Sequence, residues 1–294
     1  MRRASGQKDD LKKRARILGL CLAVLSLALG IPGPVRAAEK KPVRVAVIGG
    51  MTMTPLWSEL QKRFEAETGI KVEVVATGVK DVLANAMKDG TVDFLTMHSS
   101  DATTNLVADG WACDIRPWAK NDLVIVGPVS DPAGIAGMKS GSDAVKKIAE
   151  TQAYWIDFQS NGPRETAHTL FAKAKVNMMG PWVLKYENTN SRGILHYVAD
   201  KNAHMIVGRI PVVFKKWEPE PKVKIMVEGD PVMRRPYMEM VANPERFPNA
   251  NVEGARKLSD FLLSDKIQRF LATFDGGVGD GIPIFIPVKQ PIQK

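Results

Sequence analysis

Apolar and polar positions along residues 43–75 follow first a strand pattern, then a helical pattern, then a strand pattern again. Residues 45–48 form a short, mostly β-branched apolar run, which is typical of a buried parallel strand. Gly69 is expected to end the helix that follows, and residues 71–75 alternate as a second strand. The helical spacing is carried by Leu56, Trp57, Leu60 and Phe64. The segment therefore predicts a strand–loop–helix–strand unit.

The loop of this unit, residues 49–54, is built from small and hydroxyl-bearing residues. Thr52 and Thr54 stand just before the predicted start of the helix. A loop of this kind after a parallel strand is suited to holding an anion, because its N–H and O–H groups can point at the ligand. The same threonines could instead only cap the helix, which Thr does in many proteins without any ligand.

The rest of the chain keeps alternating between the two patterns. Helices are predicted over residues 80–88, 142–151, 164–173, 191–201, 252–263 and 266–274. Strands are predicted over residues 92–97, 123–126, 154–158, 204–207, 223–227 and 237–241. This alternation indicates an α/β fold of doubly wound type. We expect two lobes, each a sheet flanked by helices, made of residues 41–126 plus 237–294 and of residues 127–236, with a cleft between them that closes by a hinge.

Residues 1–37 have the pattern of a cleavable secretion signal. Seven basic residues precede an apolar run over residues 17–30, which is too short to span a bilayer comfortably. Residues 32–34 break the run, and residues 35–37 (VRA) fit the small-residue rule for cleavage before Ala38. We therefore expect a periplasmic protein. An uncleaved membrane anchor is the alternative.

Removal of this segment changes the charge of the chain. The whole chain has 41 basic and 32 acidic residues, of which eight basic and two acidic residues lie in residues 1–37. Its net charge therefore falls from +9 to about +3 when this segment is removed. The basic character is therefore largely a property of the signal, and it gives no case for nucleic-acid binding. Cys113 is then the only cysteine, so an intramolecular disulfide is excluded.

Several segments, read together, resemble a known family. Residues 64–72 (FEAETGIKV) are similar to the first helix–strand junction of the extracytoplasmic solute-binding proteins of ABC importers. Residues 121–128 (NDLVIVGP), 131–135 (DPAGI) and 227–231 (VEGDP), with His98 after the third strand, resemble the tungstate-binding branch of that group. The resemblance implies a type II periplasmic-binding fold and capture of a small, tungstate- or molybdate-like anion. It further implies delivery of the anion to a membrane permease with its ATPase. We expect the protein to carry no cofactor and to be a monomer.

The expected ligand-binding residues are hydroxyl, amide and arginine donors. Ser99 and Ser100 could also be helix caps. An arginine at a helix start, such as Arg164, opposes the helix dipole, which favours an anion partner. Arg209 is matched to a family arginine, with a surface salt bridge as its alternative role. The full set is Thr52, Thr54, Ser99, Ser100, Ser160, Asn161, Arg164 and Arg209.

The first loop departs from the family, which has consecutive Thr and Ser where residues 49–54 read GGMTMT. Two other ligand classes therefore stay open. Met51, Met53 and Met97 would give the cleft a polarizable, apolar lining that suits a small organic anion, although they could simply fill gaps in the core. Thioethers and His98 could also hold a soft metal. A receptor that hands its ligand to a membrane sensor is the alternative to import.

An enzyme is not expected. The chain carries no Walker loop, HExxH, GxSxG or CxxC motif. His98, Ser99 and Asp101 are residue types of a catalytic triad, but neighbours in sequence rarely reach the geometry that a triad requires. Cys113 has no evident basic neighbour that would activate its thiol. The sequence therefore predicts a binding protein.

Overall fold

Strands and helices alternate through the computed structural model, which describes residues 40–159, 161–186 and 192–288. Its strands are β1 Val43–Ile48, β2 Val72–Gly78, β3 Phe94–His98, β4 Ala112–Pro128, β5 Trp155–Phe158, β6 Val183–Tyr186, β7 Met205–Gly208, β8 Val223–Val227, β9 Arg234–Ala242 and β10 Ile286–Pro287. Its α-helices are α1 Gly49–Thr52, α2 Leu56–Thr68, α3 Lys80–Lys88, α4 Asp101–Ala108, α5 Gly141–Glu150, α6 Asn161–Ala174, α7 Ile194–Asp200, α8 Arg209–Val213, α9 Val252–Leu263 and α10 Asp265–Leu271. Within these residues no helix has the length and apolar content to cross a membrane. The predicted secretion signal and Ser160 lie outside the described residues.

Strand β4 is shared by two parts of the sheet. Residues 112–122 pair antiparallel with β9, in the strand order β10-β4-β9-β3-β1-β2. Residues 123–128 lie between β7 and β8 and pair antiparallel with both. β1 pairs parallel with β2 and β3, and β5 pairs parallel with β6, as doubly wound sheets require. The predicted α/β fold class is confirmed.

The apolar side chains collect in separate clusters along this sheet. The first core takes residues between positions 43 and 119 and between 237 and 285, together with Ile210. Two further clusters, which we call the second core, take residues between positions 123 and 233. The change from one core to the other therefore occurs within β4 and again over the first residues of β9. The division into lobes at residues 126 and 237 stays a prediction.

Most predicted elements agree with the structure within a few residues, and β4 is the main exception. The sequence pattern predicted a strand over residues 123–126, whereas β4 has 17 residues. Its first part contains charged residues and Pro117 and does not alternate strictly, since its register against β9 shifts twice. The helices α1 and α8 and the strand β6 were not predicted either, because elements of four or five residues leave little periodic signal. The predicted helix at 191–201 begins, within the described residues, at Ile194.

Glu239 of β9 is a fully buried carboxyl group opposite Arg116 of β4. Nε of Arg116 donates to Oε1 of Glu239 at 3.0 Å, and the hydroxyl of Ser259 in α9 donates to the same oxygen. Oε2 of Glu239 is buried without a hydrogen-bond partner among the described residues. Burial therefore raises the pKa of Glu239 to about 7, although Ser259 and Arg116 act in the opposite direction.

Glu239→Gln should become more stable relative to the wild type as the pH rises from about 4.5 to 8. The folded pKa lies above the ordinary value of 4.5, so the wild type binds a proton on folding in this range and loses stability as the pH rises through it. Glutamine cannot ionise, and Arg116 keeps its second partner Asp260 at 3.0 Å. The difference in unfolding free energy, measured by urea denaturation, should grow by up to about 3 kcal/mol. A difference that stays constant with pH would contradict this account.

Candidate functional site

The carboxyl ends of β1, β3, β5 and β7, with the paired strands β4 and β9, surround two adjoining cavities. The smaller cavity has a volume of about 230 Å³ and the larger one about 520 Å³. His98, Pro163 and Arg235 line both, so the two form one cleft. Ligands of open α/β sheets bind outside the carboxyl ends of the strands, which makes this cleft the candidate site.

Arg235 lines both cavities of the cleft. It is the second residue of β9 and lies opposite Asn121 of β4. Its guanidinium lies against the backbone of Gly162 in the first turn of α6, where a Cβ atom would overlap it. Its neighbour Arg234 pairs with Asp122 at 3.2 Å. Among the described residues, by contrast, no group forms a hydrogen bond or ion pair with the guanidinium of Arg235. Burial lowers the pKa of Arg235, yet a guanidinium stays protonated in proteins.

His98 and Tyr237 form a stacked pair beside Arg235, with ring centroids 4.1 Å apart. Nε2 of His98 lies 3.2 Å from Oδ1 of Asn121. Burial, together with the charge of Arg235, lowers the pKa of His98 well below its usual range, so the ring is neutral at neutral pH. The hydroxyl of Tyr237 is buried without a partner among the described residues, and burial raises its pKa, so it stays a neutral donor.

Ser100 and Lys80 line the larger cavity. Ser100 is the N-cap residue of α4 and forms a capping box with Thr103, whose Oγ1 accepts from the backbone N–H of Ser100 at 3.1 Å. The hydroxyl of Ser100 is buried, and its proton has no acceptor within the described part of the chain. Lys80 begins α3 and donates to the carbonyl of Ser99 at 3.4 Å. Burial and then Arg235 lower the pKa of Lys80. The cleft therefore offers unused hydroxyl donors beside two cationic side chains.

The two predicted threonines are occupied within their own loop. The hydroxyl of Thr52 is exposed and lies 3.1 Å from the carbonyl of Gly49 and 2.9 Å from Oγ1 of Thr77. The hydroxyl of Thr54 is buried, donates to the carbonyl of Met51 at 2.9 Å and accepts from the N–H of Leu56 at 3.2 Å. These contacts agree with the capping alternative for Thr54. A ligand role for both residues stays a prediction.

The two predicted arginines are paired with carboxylates. Arg164 contacts both carboxylate oxygens of Asp157, at 3.0 and 3.2 Å. Arg209 is buried; its Nε donates to Glu228 at 3.2 Å and its Nη2 to Asp280. Neither arginine lines the two cavities. Their contact with a ligand also stays a prediction.

The remaining predicted residues lie around the cleft to different degrees. Ser99 is exposed at the end of β3, and Ser100 lines the larger cavity. Asn161 is the first residue of α6, and Ser160 lies outside the described residues. The structure thus brings Ser100 to the cavities and adds residues that the sequence reasoning passed over: Lys80, Asn121, Arg235 and Tyr237. The pair Arg234-Arg235 just before a predicted strand was the available signal for the most central of them.

The methionines divide between core and cleft. Met51 and Met97 are fully buried in the first core, which agrees with the packing alternative. Met53 is 42% exposed and lines the smaller cavity. Among the described residues, no group of three or more His, Cys, Asp or Glu side chains is placed to hold a metal ion.

The chain is similar to known proteins over most of its length. Residues 45–274 match the family described as Bacterial extracellular solute-binding protein. A curated relative is the tungstate-binding protein TupA of Peptoclostridium acidaminophilum, 27% identical over 285 residues, covering 92% of this chain and 98% of that protein.

Two solved structures share the fold. The tungstate-binding protein TupA from Desulfovibrio alaskensis G20 superposes with a TM-score of 0.72 at 24% identity, covering 85% of this chain and 100% of that one. The tungstate ABC transporter structure from Geobacter sulfurreducens gives a TM-score of 0.65 at 25% identity, covering 81% and 100%. These similarities agree with the resemblance found in the sequence.

Arg235→Met should raise the pKa of His98, because it removes a positive charge that opposes protonation of the ring. Burial is the larger cause and remains, so the pKa should stay below the usual range. An NMR titration of the His98 ring measures the shift. His204 is the internal control, since burial lowers its pKa without any contribution from Arg235. An unchanged His98, or an equal shift at both histidines, would contradict the placement of Arg235.

Proposed function

This chain belongs to the family of bacterial extracellular solute-binding proteins, and we propose that it captures a small tetrahedral oxyanion in the cleft around Arg235. The bound anion is then delivered to a membrane permease with its ATPase. The tungstate-binding name of the curated relative supports an ion of the tungstate or molybdate type. The relatives are binding proteins, which supports capture without chemical conversion of the ligand.

The unpaired guanidinium of Arg235 carries this proposal. Arg235 is half-buried, and withdrawing a charge from water without a partner costs free energy, so proteins pair such groups or use them to bind a ligand. Arg209, a buried arginine of the same region, has two carboxylates. Arg235 has no carboxylate within ion-pair distance among the described residues, although the charge of Glu165 in the larger cavity acts against the lowering of its pKa by burial. The smaller cavity is lined by no described Asp or Glu. An anion supplies the missing partner.

The neighbouring groups suit the oxygens of such an anion. The hydroxyls of Tyr237 and Ser100 are buried donors without partners among the described residues. α4 and α6 both begin at the cleft, and helix N-termini favour negative charge. Charge-assisted hydrogen bonds are roughly twice as strong as neutral ones, so a few such donors can hold a dehydrated anion.

The size of the smaller cavity favours a small ligand. Its volume of about 230 Å³ lies below the range of roughly 300–1,000 Å³ that is typical of sites for drug-sized molecules. Residues from both sides of the β4–β9 pairing line it, including Tyr237 and Trp217. We therefore propose that the predicted lobes, residues 41–126 plus 237–294 and residues 127–236, close over the anion by a hinge at this pairing.

Arg235→Met should weaken tungstate or molybdate binding by roughly 10- to 150-fold, because it removes one charge-assisted contact. Isothermal titration calorimetry measures the loss. The unliganded variant should be as stable as the wild type or more so, because it no longer buries an unpaired charge. Arg164→Met is the matched control: it removes an arginine that pairs with Asp157 and should leave the affinity unchanged.

If Arg164→Met weakens binding and Arg235→Met does not, the proposed role of Arg235 is wrong and the ligand contact predicted for Arg164 is supported.

A thermal-shift screen of tungstate, molybdate, sulfate and small carboxylates tests the ligand class, since a ligand at 100 times its Kd adds about 2.7 kcal/mol of stability. Shifts with carboxylates alone would remove the oxyanion and keep a receptor for organic anions.

We further propose export of this receptor to the periplasm and cleavage before Ala38. Expressed with its full sequence in a Gram-negative host, the protein should appear in the periplasmic fraction with an intact mass that begins at Ala38, because residues 35–37 satisfy the cleavage rule. Replacing Ala37 with a bulky residue should block processing. A full-length mass in the membrane fraction of the wild type would instead support an uncleaved anchor.

A further inference from the structure

The smaller cavity has two unlike sets of lining residues. Its polar side chains are Arg235, His98, Asn121 and Tyr237. The larger set, which we call the apolar side, consists among the described residues of Leu123, Phe158, Pro163, Ile210, Pro211 and Trp217. A ligand in this cavity therefore meets hydrogen-bond donors over part of its surface and carbon over much of the rest.

The apolar side is a consequence of where the nearby arginines are held. Arg209 directly follows β7 and precedes Ile210 and Pro211, but its guanidinium is bound to Glu228 and Asp280. Arg164 directly follows Pro163, but it is bound to Asp157. The start of α6 and the start of α8 thus each present an apolar residue to the cavity, while the neighbouring arginine is paired with a carboxylate.

The first loop does not compensate for this. The hydroxyls of Thr52 and Thr54 are engaged with loop carbonyls, and Met53 lines the cavity between them. A bare tetrahedral oxyanion has acceptor oxygens on every side, and each buried oxygen without a donor costs free energy. The apolar side suits a group that needs no hydrogen bond.

We propose that the preferred ligand is a tetrahedral oxyanion with one small apolar substituent, of the alkanesulfonate class; this rests on the proposed oxyanion function. The sulfonate oxygens contact Arg235 and the hydroxyl of Tyr237. The alkyl group packs against Trp217 and Phe158. A single negative charge matches Arg235, the one cationic side chain among the described residues that line the smaller cavity.

The test is a calorimetric series of methanesulfonate, ethanesulfonate and propanesulfonate against tungstate and sulfate, using the mature protein. Affinity should rise by about fourfold with each added methylene, because each is removed from water against the apolar side. Propanesulfonate should bind more tightly than sulfate.

Two variants separate the apolar side from the anion contacts. Trp217→Ser should weaken propanesulfonate binding about tenfold more than tungstate binding, because only the alkyl group needs the apolar surface of the indole ring. Tyr154→Ser is the control, because it removes an exposed aromatic side chain that lines neither cavity. It should change neither Kd.

The outcomes are distinct. If tungstate binds and no alkanesulfonate does, or if affinity does not rise with chain length, the alkanesulfonate inference is wrong and the oxyanion function stands. Equal losses for propanesulfonate and tungstate in Trp217→Ser would also overturn it, since that residue would then act on the whole site. If neither tungstate nor any sulfonate binds, the oxyanion function itself fails.

Discussion

The antiparallel pairing of β4 with β9 is the constraint on which the site depends. This pairing puts Asn121 opposite Arg235 and Asp122 opposite Arg234. Directly after Asp122, β4 no longer pairs with β9 and pairs with β7 and β8 instead. Asn121, Leu123, Arg235 and Tyr237, which line the smaller cavity, all lie on these two strands. A shift of their register by one residue would exchange the residues that face the cleft with those that face away, because side chains alternate along a strand.

That alternation explains why two adjacent arginines have opposite roles. Arg234 pairs with the carboxylate of Asp122 at 3.2 Å, whereas Arg235 reaches the first turn of α6 and has no carboxylate within ion-pair distance among the described residues. The same site keeps His98 neutral and leaves two hydroxyls unpaired. A protein selected for stability alone would pair or remove such groups, so their accumulation in one cleft indicates a ligand.

The sequence predicted the fold well where structure is local. The unit at residues 43–75 follows from hydrophobic period and a helix-ending glycine, and Gly69 does adopt a left-handed conformation at the end of α2. It predicted the site less well, because pairing of charges is a tertiary property. Arg209 and Asp280 are 71 positions apart, and no spacing rule connects them. Arg235 was passed over because β9 was expected to begin only at Tyr237.

The loop at residues 49–54 (GGMTMT) differs from its family at two methionines, which have different surroundings in the structure. Met51 is buried in the first core, so its side chain anchors the loop and has no access to a ligand. Met53, two positions later, lines the smaller cavity. A substitution of the first kind preserves the scaffold, and one of the second kind changes what the cavity accepts. Fold therefore transfers between relatives further than ligand identity does, since core positions respond to packing and cavity positions respond to the ligand. Met53 is therefore the methionine of this loop whose side chain lies where a ligand in the smaller cavity would meet it.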